Sequence, residues 1–172
     1  ASAGAIKRCR PDKLVFTYQG DGDAASIGIA ETLYSAERNE NFTQIIVNNG
    51  VYGMTGGQMS PTSLVGQKTT TSVKGRDPKT MGMPLKISEL ISHFDVAYLA
   101  RGSVHNAAHI RKTKTYIRRA FETQMNQGGY NCVEIISPCP TNWHLTPLQA
   151  VERIEKEVLE YYPVGEIKGG AR

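Results

Sequence analysis

The sequence is short of several things, and each shortage removes a class of protein. Only three cysteines occur in 172 residues: Cys9, Cys132 and Cys139, far apart and with no Cys-x-x-Cys among them. An odd count without that spacing argues against the disulfide framework of small secreted domains. Each cysteine reads most simply as a small buried hydrophobe. No uncharged apolar run approaches the ~18 residues of a membrane span, and no signal-peptide pattern opens the chain. The chain therefore reads as soluble and cytoplasmic, with no membrane partner. Charge is also nearly balanced, at a formal net +4. That excess is too mild to favour a nucleic-acid partner. Its basic residues gather in "HIRKTKTYIRRA", at Arg111, Lys112, Lys114, Arg118 and Arg119. Ile110, Ile117 and Phe121 recur there at roughly helical spacing, so the charges read as the solvated side of a helix. An initiator Met is missing too. "ASAGAIKRCRPDK" looks like the body of a small-residue-rich helix, so the chain reads as a fragment or processed subunit, incomplete at its N-terminus.

What is present fits one domain over residues 1–172, with 40% hydrophobic residues to build a core. Strand and helix patterns alternate. "KLVFTYQ" reads as a strand ending at glycine. "AASIGIAETLYSAERN" reads as a helix with an apolar stripe at Ile27, Ala30 and Tyr34, and more loosely Leu33. "FTQIIVNN" is a second strand, nearly continuous in apolar residues, as a sheet covered on both faces requires. Residues 50–84 are rich in Gly, Thr, Ser, Pro and Met and show no periodicity, the pattern of a functional or disordered loop. A short helix "PLKISELISHF", a strand "VAYLARGSV" and a long amphipathic helix "NAAHIRKTKTYIRRAFETQMNQ" follow, the last stopped by Gly128-Gly129. A strand "YNCVEIIS" and a helix "PLQAVERIEKEVLEYY" complete the pattern. This alternation predicts an α/β three-layer sandwich around a mostly parallel sheet.

Asp21 stands between Gly20 and Gly22 after the first strand, and Asn48-Asn49 end the second. Both strands of a βαβ unit end on one edge of the sheet, where open α/β folds bind ligands. A carboxylate, an amide oxygen and a backbone carbonyl converging there form a hard oxygen site suited to Mg2+ with bound phosphates. The glycines permit a tight turn and close approach of an anion to the backbone. The following helix N-terminus offers free N–H groups. Either motif alone is more simply a turn; both together, one helix apart, favour an Mg2+-diphosphate site.

"GDG" followed after 25 residues by "NN" resembles the thiamine-diphosphate signature. "NNGVYGMTGGQMSPTS", "GQKTTTSVKGRDP" and "SPCPTNWHLTP" extend the likeness over nearly the whole chain. Together they resemble the thiamine-binding beta subunit of 2-oxoacid:ferredoxin oxidoreductases of the 2-oxoglutarate or branched-chain type. The resemblance implies a thiamine-diphosphate-binding fold and oxidative decarboxylation of a 2-oxoacid to acyl-CoA and CO2, with electrons passed to ferredoxin. It implies Mg2+ held by Asp21, Asn49 and the Val51 carbonyl, and diphosphate against Gly20, Gly22, Asp23 and Thr55. Tyr52 to Gln58, including Gly53, would line the thiazolium, with Met54 near the reactive carbon and Thr55 beside it. Partners implied are a pyrimidine-binding alpha subunit and further subunits, ferredoxin, coenzyme A and the 2-oxoacid. Cys139 resembles the last ligand of a [4Fe-4S] cluster whose other cysteines lie upstream; one thiolate cannot hold a cluster, so this chain alone is expected to lack it.

Other features read as structural. His105 and His109 read as surface histidines near a helix start, with no third metal ligand, and Cys9 and Cys132 as core. Asp77 reads as a turn residue, Arg76 as a weak candidate for a substrate or coenzyme A anion, and Trp143 as a packing residue. Two rival readings stay open: a non-redox thiamine-diphosphate decarboxylase or synthase, and a non-catalytic nucleotide-binding or scaffolding domain.

Overall fold

The β-branched and aromatic runs of the sequence become four parallel strands, with helices on both faces. A computed structural model describes residues 1–169; the last three positions of the domain assigned to 1–172 lie outside the described residues. In chain order the elements are α1 (Ser2–Cys9), β1 (Phe16–Gly20), a π-helical turn (Asp23–Ile27), α2 (Ile29–Glu37) and β2 (Thr43–Asn48). A small hairpin follows, β3 (Val51–Tyr52) with β4 (Gln58–Met59), then α3 (Pro78–Met81), α4 (Ile87–Ser92), β5 (Tyr98–Ser103) and α5 (Ala107–Asn126). The chain closes with β6 (Asn131–Ile136), α6 (Pro140–Trp143), α7 (Pro147–Arg153), a second π-helical turn (Ile154–Val158), α8 (Leu159–Tyr161) and β7 (Gly165–Lys168).

The main sheet runs β1-β2-β6-β5-β7, parallel except for β7, which pairs antiparallel with β5. Period-two alternation sends Ile46, Leu99 and Cys132 to one face, where they meet Ala24, Ala25 and Ala36 from the first π turn and α2, and Ile87 and Ile91 of α4. Ile45, Ala100 and Val133 point the other way, onto Tyr116 and Ala120 of α5. The result is the expected three-layer α/β sandwich. Each aliphatic side chain taken fully into these layers contributes about 1.5–3 kcal/mol.

Four local readings need correction. The stripe Ile27, Ala30 and Tyr34 does not face the core: Ile27 is 78% and Tyr34 62% exposed, while Ala24, Ala25, Thr32 and Ala36 are buried. The buried face instead carries small residues, Ala25, Thr32 and Ala36, at ordinary helical spacing, which a count of large apolar residues passes over. A π turn opens the segment, with the Gly28 amide donating to the Asp23 carbonyl five residues back. The loop 50–84 contains the β3–β4 hairpin and α3, elements too short for periodicity to reveal. β7 went unread, since an exposed edge strand of four residues carries almost no apolar pattern. Cys9 is exposed at the end of α1, not core, whereas Cys132 is buried as expected. No helix among the described residues is long and apolar enough to cross a membrane.

Candidate functional site

Parallel pairing brings the two polar turns together. Gly20 lies opposite Val47, so Asp21 and Asn48-Asn49 leave neighbouring strands at the same edge of the sheet. The step from β1 to β2 runs one way along the sheet and the step from β5 to β6 the other, with α2 and α5 on opposite faces. The winding thus reverses between β2 and β6, and such a reversal opens a crevice at the carboxyl ends of the strands.

Asp21 is the buried acid of this crevice, only 1% exposed. Its Oδ2 accepts from Ser60 Oγ at 2.6 Å and from Thr62 Oγ1. Burial pushes its pKa above the ordinary carboxylate value, and the Ser60 and Thr62 hydroxyls partly offset that by favouring the ionised form. Asn49 turns its Oδ1 to the Val51 amide at 3.1 Å, which tightens the loop into β3. Asn48 Oδ1 accepts from the Gly50 amide at 3.2 Å. Val51 is buried and Gly53 half-buried.

The two glycines differ. A Cβ at Gly20 would meet nothing within 4 Å, so the reason for glycine there is not steric. A Cβ at Gly22 would overlap the Tyr52 ring, whose hydroxyl donates to the Gly22 carbonyl at 3.1 Å. Tyr52 therefore seats on Gly22 and ties the hairpin to the first turn. Asp23 opens the π turn with its carboxylate on Gln19 Nε2 at 2.8 Å, exposed to solvent. Thr55 donates its hydroxyl to Gln58 within its own turn at 2.6 Å, and Met54 is wholly exposed. The structure thus joins Asp21, Gly22, Asn49, Val51 and Tyr52 in one cluster. The side chains of Asp23, Met54 and Thr55 lie at its rim, engaged locally or with solvent.

Sequence reasoning missed what supports the cluster. Arg101 (1% exposed) and Glu134 (0%) are directly opposed on β5 and β6. Arg101 Nε donates to Glu134 Oε2 at 2.8 Å, Ser88 Oγ donates to the same oxygen, and Asn48 Nδ2 donates to Oε1 at 2.7 Å. A buried ion pair thus holds the first asparagine of the turn. Charged residues inside strand runs "VAYLARGSV" and "YNCVEIIS" were the available signal, since burial of an unpaired charge is prohibitive.

Two further residues have roles other than those expected, and a third packs as expected while making an added bond. Arg76 is no anion receptor: it is 6% exposed and donates to the carbonyls of Pro61, Ser63, Gly82 and Met83, each at 2.8 Å. His105 is not a surface residue but 6% exposed, with Nδ1 2.7 Å from Ser103 Oγ and its ring 4.3 Å from that of His109. Trp143 packs, with Arg153 over its ring at 4.5 Å, and also donates from Nε1 to the Asn49 carbonyl at 3.0 Å. Asp77 caps α3, as a turn residue would.

The donor set fits a hard divalent cation: a buried carboxylate with one oxygen already capped, an amide oxygen and nearby backbone carbonyls. Cys139 is half-buried with Sγ 3.2 Å from Asn142 Nδ2, and among the described residues no three His, Cys, Asp or Glu side chains cluster as metal ligands. The residues here therefore do not fit an iron–sulfur cluster by themselves. A groove of about 1030 Å³ lies beside Trp143, between residues 64–68 and the C-terminal helices. Its rim sets Lys68, Arg153 and Lys156 against Glu152, Glu157 and Glu160, a balance with no pull on a diphosphate.

Comparison with known proteins agrees with this geometry. Residues 1–135 match the family described as thiamine pyrophosphate enzyme, C-terminal TPP binding domain. The chain is 44% identical over 92% of its length to ketoisovalerate oxidoreductase subunit VorA of Methanothermobacter thermautotrophicus, covering 34% of that protein. It is 31% identical over 91% of its length to 2-oxoglutarate synthase subunit KorB of Archaeoglobus fulgidus, covering 54% of it. A solved structure, 2-oxoglutarate:ferredoxin oxidoreductase from Magnetococcus marinus with 2-oxoglutarate, coenzyme A and succinyl-CoA bound, superposes with a TM-score of 0.68 at 28% identity. That superposition covers 81% of this chain and 44% of the other. The chain thus spans about a third to a half of the length of these relatives. With a parallel sheet that places an acid and two asparagines at its switch point, and a family match over most of its length, the chain belongs to the thiamine pyrophosphate enzymes, as their C-terminal TPP-binding domain.

Proposed function

We propose that this chain is the thiamine-diphosphate and Mg2+ half-site of a 2-oxoacid:ferredoxin oxidoreductase. The observation that carries the reading is the buried Asp21 carboxylate beside the Asn49–Val51 turn, at the carboxyl ends of adjacent parallel strands. Asp21, Asn49 and the Val51 carbonyl would hold Mg2+, and backbone amides at Gly22 and Asp23 would bind the diphosphate. The kinship with ketoisovalerate and 2-oxoglutarate enzymes supports the reaction. When bound, the thiamine group supplies the carbon nucleophile and electron sink for loss of CO2.

The chain's own residues bind and orient. Tyr52, seated on Gly22, fixes the hairpin that carries Met54, and Met54 borders the substrate side. Its full exposure supports a site completed by a pyrimidine-binding partner subunit. Overall, 2-oxoacid and coenzyme A yield acyl-CoA, CO2 and a proton, while two electrons leave singly to two ferredoxins. Cys139 would supply only one thiolate to a [4Fe-4S] cluster, which needs further ligands from other residues of the complex. Turnover of the assembled complex with a panel of 2-oxoacids, coenzyme A and ferredoxin or a dye tests this. CoA-dependent reduction of the acceptor by a branched-chain acid or 2-oxoglutarate is expected; CO2 release with no acceptor reduced would point to non-redox chemistry.

A further inference from the structure

We propose that Ser60 and Thr62 are positioning residues that set which cation the site accepts, selecting Mg2+ over Ca2+ by leaving only one Asp21 carboxylate oxygen clear of hydroxyl donors. The inference rests on the reading of Asp21 as a metal ligand. Both hydroxyls lie on Oδ2, Ser60 at 2.6 Å, and their own oxygens are 2.9 Å apart. Asp21, Ser60 and Thr62 are each 1% exposed, so water does not compete for these bonds.

The turn that carries the hydroxyl pair is pinned from several directions. The Ser60 amide donates to Ser63 Oγ at 2.9 Å, and Ser63 Oγ donates to the Gly50 carbonyl at 2.6 Å. Gln67 Nε2 reaches the same carbonyl at 2.8 Å, and Tyr162 Oη donates to the Thr62 carbonyl at 2.9 Å. Arg76 holds the carbonyls of Pro61 and Ser63 from behind. The turn that caps Asp21 is thus tied to the loop bearing Asn49.

The consequence is chemical. Mg2+ takes six ligands at about 2.0–2.1 Å and is satisfied by one oxygen of a carboxylate. Ca2+ takes six to eight at about 2.3–2.6 Å and often draws on both. A bidentate cation would displace two buried hydroxyl donors from Oδ2 and leave at least one of them without an acceptor, a penalty a monodentate cation escapes. Removing the hydroxyls frees Oδ2 and lets the larger ion use the whole carboxylate.

The test is calorimetric titration of the full-length, cofactor-free complex with Mg2+ and, separately, Ca2+, at fixed thiamine diphosphate. The wild type should prefer Mg2+. The Ser60→Ala/Thr62→Val double variant should shift the affinity ratio toward Ca2+ by about tenfold or more. Thr62→Ser, which keeps the hydroxyl, should retain the wild-type ratio. If the double variant does not fold, Ser60→Ala and Thr62→Val taken singly should each move the ratio the same way. An unmoved ratio in variants that still bind the cofactor, or a wild type that prefers Ca2+, overturns the proposal and leaves the metal site standing. Cofactor binding by the wild type that needs neither cation overturns the metal reading itself, and this inference with it.

Discussion

Replacing Glu134 by Gln should destabilise the fold and loosen the crevice together. Three donors point at this wholly buried carboxylate: Arg101 Nε, Ser88 Oγ and Asn48 Nδ2. A glutamine offers one carbonyl oxygen, and in either orientation its NH2 group faces a donor. Breaking a buried pair by removing one partner costs about 3–5 kcal/mol. Arg101 keeps Glu89, whose side chain is 39% exposed and only partly compensates. The expected loss is therefore near the lower end, about 3 kcal/mol. At roughly 2–4 °C per kcal/mol for a domain of this size, the melting temperature should fall by about 6–12 °C. Differential scanning calorimetry of the full-length subunit measures this, and thiamine-diphosphate titration reports the effect passed through Asn48. An Arg101→Met/Glu134→Met double variant should recover only the part owed to the stranded guanidinium, since Ser88 Oγ and Asn48 Nδ2 still lose their buried acceptor. A Glu134→Gln melting temperature within about 2 °C of wild type would refute the reasoning, by showing that the ion pair does not hold the sheet.

Three shorter predictions follow from other contacts. Gly22→Ala must displace the Tyr52 ring and should cost about 1–3 kcal/mol in urea unfolding, with Tyr52→Ala in the same chain recovering most of it. Arg76→Met strips the donor from four loop carbonyls and should cost about 3 kcal/mol or more by the same assay; Arg76→Lys should rescue little, since one ammonium cannot span both sides of the loop. Glu166 accepts from Arg119 and from the Tyr98 hydroxyl, and the Arg119 guanidinium first of all holds its pKa below the ordinary 4.5. Its folded value is the depressed one, so its contribution is present above pH 4.5 and is lost as pH falls through the folded value. Glu166→Gln should remove that part of the acid dependence in a pH series of unfolding curves.

Much of the architecture was legible because the signals were local. Aromatic and β-branched residues at β1, β2 and β6, the Tyr-Leu-Ala run of β5 and the long amphipathic pattern of α5 marked the layers, and two turns at matching strand ends marked the site. The strand order was not legible, because nothing in β6 says that it inserts between β2 and β5. The buried face of this segment was hidden because it is built of small residues, Ala25, Thr32 and Ala36, while the larger Ile27 and Tyr34 face solvent. Arg76, Ser60, Thr62 and Glu134 were out of reach for another reason. Each makes at least one contact with a residue 13 or more positions away, and residue type alone does not tell a buried organiser from a surface charge.

The central claim is that Asp21 and Asn49 clamp Mg2+-bound thiamine diphosphate at the switch point of the sheet. The most direct test is isothermal calorimetry of the full-length, cofactor-free complex with thiamine diphosphate, with and without Mg2+, for wild type and Asp21→Ala. The account predicts Mg2+-dependent binding by the wild type and its loss in Asp21→Ala, with the variant still folded by circular dichroism. Undiminished, Mg2+-dependent affinity in Asp21→Ala would contradict it.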